Sequence, residues 1–227
     1  MRLVLFLLAV LALAGCGGGG GGDGEDSAAT NTASVPTASA NPPGSCSQVA
    51  PPEPEAGGGE TKPTSELPAG KTHELVVETN CGTFTIELDT KASPKTTASV
   101  AALADSGFYD GTTFHRIVPG FVIQGGDPTA TGSGGPGYST RDVPAQTTTY
   151  TRGVVAMAKT QTEPPGTAGS QFFVVTGANI GLPPEYAVIG KVTEGMDVVN
   201  KIGRLGDPTT EQPTQVVAIS KMRLESS

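Results

Sequence analysis

The sequence predicts a mainly β fold: a closed antiparallel β-barrel with two α-helices at its ends, preceded by a disordered tether. Three observations carry this expectation. Composition changes near residue 72, and beyond that point lie all four tyrosines and all but one of the seven phenylalanines. The later part holds many short apolar stretches, some strictly alternating, separated by Gly and Pro. Only two stretches keep a helical period, and they do not alternate with strands as βαβ units would. Only this second part carries enough apolar sequence to offset the conformational entropy of folding. Three regions follow: 1–15, 16–72 and a single globular domain over 73–227. A domain of that length buries roughly 70% of its unfolded surface, enough for one core.

The first region reads as an export signal. Arg2 supplies a positive start, and Leu3–Ala14 is an unbroken apolar run. That run is too short to span a bilayer but suits a signal-peptide core. It ends in Leu13-Ala14-Gly15-Cys16, which resembles the bacterial lipobox, whose cysteine is lipidated and becomes the mature N-terminus. The expectation is therefore a protein exported and lipid-anchored to the outer face of a bacterial cell membrane. Two or more acyl chains on Cys16 would hold it stably, a single one only marginally.

Residues 16–72 read as the lipidated cysteine and a flexible linker. Gly17–Gly22, Asn41-Pro42-Pro43, Pro51-Pro52 and Gly57-Gly58-Gly59 break any helix or strand period. As a flexible coil the linker would span about 40 Å root-mean-square. With Cys16 assigned to lipid, Cys46 and Cys81 remain in an oxidising setting and are expected to pair, two free thiols being the alternative.

In the domain, Leu75–Thr79 reads as a strand and Asn80-Cys81-Gly82 as a turn. Thr83–Leu88 then alternates, with Phe84, Ile86 and Leu88 on one face. A helix is expected next, with Ser93 as N-cap, Pro94 at its first position and Gly107 ending it. A second short helix is expected over Glu194–Ile202. Many short strands lie between them.

The charge balance is acidic, 14 basic against 22 acidic residues, and no basic stripe is present. This argues against nucleic acid as a partner. Hydrolase chemistry is poorly supported: His73 and His115 are the only histidines, and no Gly-x-Ser-x-Gly elbow or His-Glu-x-x-His site occurs. Cys46 and Cys81 are too far apart for a Cys-x-x-Cys pair. No metal or cofactor is expected.

The segment Phe114–Asp127 holds one arginine and one glutamine amid apolar residues and glycines. Arg116 is a poor acid or base but a strong fixed donor, and Gln124 can both donate and accept. Such a pair suits recognition of a peptide backbone better than bond cleavage. On pattern alone, a strand end with Arg116 in a surface salt bridge fits as well. His115 reads as a packed, hydrogen-bonded structural residue.

This stretch resembles the signature of the cyclophilin family of peptidyl-prolyl cis/trans isomerases. Tyr109-Asp110-Gly111-Thr112, the glycine loop Gly132-Ser133-Gly134-Gly135, Met157-Ala158 and Gly169-Ser170-Gln171-Phe172-Phe173 extend the match over roughly residues 73–225. The resemblance implies an eight-stranded barrel with two capping helices and a monomeric enzyme acting on proline-containing polypeptides. It implies that Arg116 is the catalytic arginine, with Phe121 and Gln124 beside it. Phe121, Val122 and Phe173 would wall the pocket for the proline ring and Leu182 would close one side. Gln124, Gln171 and the backbone around Ala158 and Lys159 would hold the peptide. Gly132 and Gly134 would shape the neighbouring subsite.

Two departures from better-known eukaryotic members stand out. Tyr186 falls where they carry a histidine, and Gly181 where they carry a tryptophan that contacts cyclosporin. Weak cyclosporin binding with retained isomerisation is the expectation. Lys159 replaces a common asparagine and is expected to act mainly through its backbone. Thr160–Thr167 carries extra residues, so a longer loop near the groove is expected. The main rival is a binding module of the same fold that holds proline-containing segments without useful catalysis. A transporter's solute-binding lipoprotein fits the anchor but not the small single domain.

Overall fold

The computed structural model describes residues 46–227, so the signal peptide over 1–15 and the lipidated Cys16 lie outside the described residues. The first hairpin forms from β1 (His73–Thr79) and β2 (Gly82–Leu88). Thr79 Oγ1 accepts from the Cys81 amide and donates to the Gly82 carbonyl, closing the turn. Gly82 sits at φ +129, and a Cβ there would meet Val198 Cγ2 at 2.8 Å, so only glycine fits. Phe84, Ile86 and Leu88 are all buried, as their alternation requires.

Further strands follow: β3 (Arg116–Val118), β4 (Val122–Gly125), β6 (Val154–Met157), β8 (Phe172–Val175), β9 (Val188–Glu194) and β10 (Ile219–Ser226). A separate two-stranded ribbon pairs β5 (Thr140–Arg141) with β7 (Thr167–Ala168). The main sheet has eight strands in the order β10-β1-β2-β9-β6-β8-β4-β3, each pair antiparallel. The fold is the expected one in strand number and direction, but it is not a fully closed barrel. Its edge strands β3 and β10 meet through the irregular segments that precede them. Gly111 and Phe114 donate to Ile219 and Val217 carbonyls, and Ile219 donates back to Thr112. The seam is thus a short bridge around Thr113 and Ala218.

Two helices complete the fold, α1 (Pro94–Asp105) and α2 (Met196–Gly203). Pro94 opens α1 as expected, but Ser93 makes no side-chain cap. Asp142 provides it instead, its Oδ2 accepting from both the Thr96 amide and Thr96 Oγ1 at 2.7 Å. Helix α2 starts after Gly195 at φ +73, with Asp197 in its first turn and Lys201 in its last, both matched to the helix dipole. Among the described residues, no helix is long and apolar enough to cross a membrane.

Inside the curled sheet, Tyr109, Phe114 and Phe172 pack edge to face, with centroids 5.9 Å apart for each contact to Phe172. Ile86, Leu103, Ile117, Ile123, Val174 and Val199 are among the residues that pack around them.

Residues 46–72, expected as part of a flexible linker, behave differently from that expectation. They have almost no regular structure, yet they run along the domain. Cys46 and Cys81 form a disulfide. Ser47 and Asn80 bond reciprocally, and the amides of Glu55, Gly58 and Glu60 donate to the carbonyls of Pro128, Gly135 and Pro136. Leu67 packs on the core. Composition marks this stretch as unable to build a core of its own, but it can lend its backbone to one already formed.

Candidate functional site

Strand register explains why the expected site residues converge. Across neighbouring strands, Arg116 stands opposite Gln124, Gln124 opposite Phe173, and Phe173 opposite Ala156. Residues opposite each other in antiparallel pairs share a face, so this row lies on one side of the sheet. Two residues along, Val122 faces Val175 on that same side. The intervening residues Ile117, Ile123, Val174 and Val155 point into the core. The outward row gathers a second apolar cluster of Val122, Tyr150, Ala156, Phe173 and Val175, edged by Phe121, Leu182 and Tyr186.

This cluster floors a groove of about 280 Å³ lined by Arg116, Phe121, Val122, Gln124, Ala158, Lys159, Phe173, Leu182 and Tyr186. A second hollow of about 290 Å³ adjoins it, sharing Gln124, Ala158 and Lys159 and adding Gly132, Gly134 and Gln171. Every expected substrate-contacting residue therefore lines one of the two. A larger hollow of about 610 Å³ lies elsewhere, between Lys71, Leu88 and Lys191. It has no aromatic wall, which marks it as a surface depression rather than a ring-binding site.

A polar chain runs through the groove. Arg116 Nε donates to Glu211 Oε2 at 2.7 Å, and one terminal nitrogen makes a long 3.4 Å contact with Gln124 Oε1. Gln124 Nε2 donates to Gln171 Oε1 at 3.1 Å, and Gln171 Nε2 to the Gly134 carbonyl at 3.0 Å. Asp127 anchors the glycine loop by accepting from the amides of Thr129, Gly132 and Gly134. Burial by itself would raise the Asp127 carboxyl; these bonds, with that of the Thr129 hydroxyl, more than offset it and hold the group below its usual range.

Glu211 is a site residue that sequence reasoning did not find. Its φ of +60 is uncommon for a side-chain-bearing residue. The turn is held by Asp207, whose carboxylate accepts from Thr209 and Thr210 amides while its carbonyl accepts from Glu211. The Glu211 carbonyl in turn accepts from Ile117, beside Arg116. The Asp-Pro-Thr-Thr-Glu run is a turn signal in hindsight, but only the fold puts it beside Arg116.

Lys159 does more than its backbone was expected to do. Its side chain is 2% exposed and pairs with Glu185 at 3.0 Å. It also donates to the Thr160 and Glu163 carbonyls and lies 5.4 Å from the centroid of the Tyr186 ring. The Ala158 amide is taken by the Gln171 carbonyl, so a peptide would find the carbonyl side of Ala158. Tyr186 stacks edge-on against Tyr150 and Phe173. Gly181 turns at φ +65, and a Cβ there would meet nothing within 4 Å, so that rim is open.

His115 lies beside Gly132, and neither ring nitrogen has a well-formed hydrogen bond, unlike the bonded residue expected. Burial holds the imidazole below its ordinary pKa, and Arg116 adds to this, against the opposing pull of Asp127 and Thr113. With both ring nitrogens buried and without a hydrogen-bond partner, the imidazole is a packing group here.

Comparison with known proteins agrees with this geometry. Residues 74–224 match the family described as cyclophilin type peptidyl-prolyl cis-trans isomerase/CLD. Peptidyl-prolyl cis-trans isomerase-like 1 of Neurospora crassa is 41% identical over 155 residues, covering 66% of this chain and 93% of the relative. The Homo sapiens protein of the same name is 39% identical over 151 residues, covering 65% and 89%. A Cryptosporidium parvum cyclophilin type peptidyl-prolyl cis-trans isomerase superposes with a TM-score of 0.63 at 32% identity, covering 69% of this chain and 99% of that one. That protein was also crystallised in the presence of the dipeptide Ala-Pro, and that second structure superposes with a TM-score of 0.62 at 33% identity.

Proposed function

This chain belongs to the cyclophilin family and is a peptidyl-prolyl cis-trans isomerase, and we propose that it turns X-Pro bonds in exported proteins from a lipid anchor at Cys16. The observation that carries the catalytic part is the placement of the Arg116 guanidinium at the rim of an aromatic-walled recess, opposite Gln124.

The X-Pro bond is held planar by resonance, with a barrier of about 18–20 kcal/mol. Rotation breaks no covalent bond, so the reaction asks for neither a nucleophile nor a metal. In the twisted state the lone pair localises on the proline nitrogen. A guanidinium aimed at that nitrogen and the neighbouring carbonyl binds the twisted state better than the planar one. Phe121, Val122, Phe173 and Leu182 hold the ring while the preceding residue turns. Gln124 and Gln171 hold the peptide extended, and Gly132 and Gly134 border the adjoining subsite. Glu211 bonds Nε and leaves the terminal nitrogens to the groove.

The test is turnover of an X-Pro peptide by the wild type and by Arg116→Ala. Loss of the acceleration in the variant supports the role of Arg116; equal rates would overturn it. The anchor rests on the apolar run and Leu13-Ala14-Gly15-Cys16. Cys16→Ser should move the protein from the membrane fraction to the soluble one, and unchanged fractionation would sink the proposal. The open rim at Gly181 and the tyrosine at 186 support weak cyclosporin binding, to be read by the inhibitor concentration needed to halve activity.

A further inference from the structure

We propose that residues 55–62, upstream of the barrel, are a positioning strap that sets the subsite beside the proline recess and so selects the residue that precedes the X-Pro pair. The proposal rests on the isomerase reading above and adds a determinant to it.

The strap lies against the outer side of the loop whose inner side borders the subsite. Gly58 donates its amide to the Gly135 carbonyl at 2.7 Å, Glu60 to the Pro136 carbonyl at 3.1 Å, and Glu55 to the Pro128 carbonyl at 2.9 Å. Lys62 Nζ reaches the Ser139 carbonyl at 2.8 Å. At two positions the backbones meet closely enough to crowd a side chain. A Cβ on Gly57 would stand 3.0 Å from the Gly135 oxygen, and one on Gly137 would stand 2.9 Å from the Gly59 nitrogen. Glycines on both partners make that approach feasible. Composition alone would call Gly57-Gly58-Gly59 a linker, but here it is a contact surface.

On its inner side the same loop presents Gly132, Ser133 and Gly134 to the 290 Å³ hollow. Its Gly134 carbonyl holds Gln171, which holds Gln124, which contacts Arg116. Asp127 ties the near end of the loop, and the strap ties the far end. The Cys46–Cys81 disulfide and the Ser47–Asn80 bonds fix the chain upstream of the strap to the β1–β2 turn. The loop wall is therefore clamped from both sides, and loosening the strap should widen the subsite while leaving the proline recess in place.

The experiment compares two peptides on the full chain, one with alanine before the X-Pro pair and one with a long polar residue there, in wild type and in Gly58→Pro. Proline removes the donor to Gly135 and cannot adopt the φ of +92 found at Gly58. The expected result is a fall of about fivefold in KM for the long-residue peptide, the scale of one backbone hydrogen bond. The kcat/KM for the alanine peptide should stay within about twofold, and the amide resonances of Gly132 and Gly134 should shift. Equal change for both peptides, or no change in either with unshifted resonances, would overturn the strap. The paired variant Cys46→Ser, Cys81→Ser releases the chain upstream of the strap without touching Gly58. It should move the peptide ratio in the same direction, and an unmoved ratio counts against the proposal. A wild type that accelerates neither peptide refutes the isomerase reading instead; the resonance shifts then still report on the strap.

Discussion

The two faces of the sheet formed by β3, β4, β8 and β6 differ by one residue of register and by everything in their duties. On the inner face Ile117, Ile123, Val174 and Val155 are fully buried among Phe114, Phe172 and Tyr109. On the outer face Arg116, Val122, Gln124 and Phe173 line the groove, with Tyr150, Ala156 and Val175 buried in the cluster beneath it. Phe172 and Phe173 are adjacent, yet one is a core ring and the other a wall of the site. The difference teaches that this groove is built on the back of the core, so its geometry is as rigid as the strands that carry it.

That comparison can be broken most forcefully from the inside. Phe172→Ala should cost about 3–5 kcal/mol of stability in denaturant unfolding, because three aromatic rings lose their shared contact. Its remaining folded fraction should isomerise peptides at a rate close to that of the wild type. Arg116→Ala inverts the pattern. It should lower kcat/KM about 10²–10³-fold, the scale of removing one preorganised donor. Its unfolding midpoint should correspond to a change below about 1 kcal/mol, since the Glu211 pair is partly exposed. If instead Arg116→Ala destabilised the fold as much as Phe172→Ala, the separation of the two faces would be lost.

A smaller effect sharpens the outer face. Glu211→Gln keeps the shape but removes the charge that holds Arg116 Nε. It should reduce kcat about fivefold with little change in KM. The Arg116 Nε–H resonance should shift, a signal that loss of general stability would not move. The smallest effect concerns His115. Burial lowers its pKa in the folded state, so below about pH 6.5 the unfolded chain binds the proton first. Stability should therefore be full above that value, fall as the pH drops through it, and level off below the folded pKa. His115→Gln should flatten this slope in urea midpoints measured against pH.

Much of this arrangement was legible locally. The hairpin of β1 and β2, the start of α1 at Pro94 and the division between a linker-like and a domain-like half follow from alternation, proline and composition. Arg116, Gln124 and Phe173 were legible as members of a long family motif, and register then put them in one row. Three features were not legible. Asp142 caps α1 in place of Ser93, Glu211 orients Arg116, and Lys159 joins Glu185, Glu163 and Tyr186. Each depends on a polar contact between residues far apart in sequence, Thr96 with Asp142, Arg116 with Glu211 and Lys159 with Glu185, whose own neighbourhoods look like ordinary turns or loops. The run 55–62 was hidden for a related reason: its contacts are made by backbone amides, which every residue type except proline carries.

The sequence by itself therefore determined the strand periods, the family and the identity of the groove's principal side chains, because those depend on short-range pattern and on a motif. Tertiary structure alone decided which turn carboxylate meets Arg116, how the sheet's edges are sewn at Thr113 and Ala218, and where a glycine-rich run stops being a linker. These depend on which distant backbones arrive within hydrogen-bond reach, and composition holds no record of that distance.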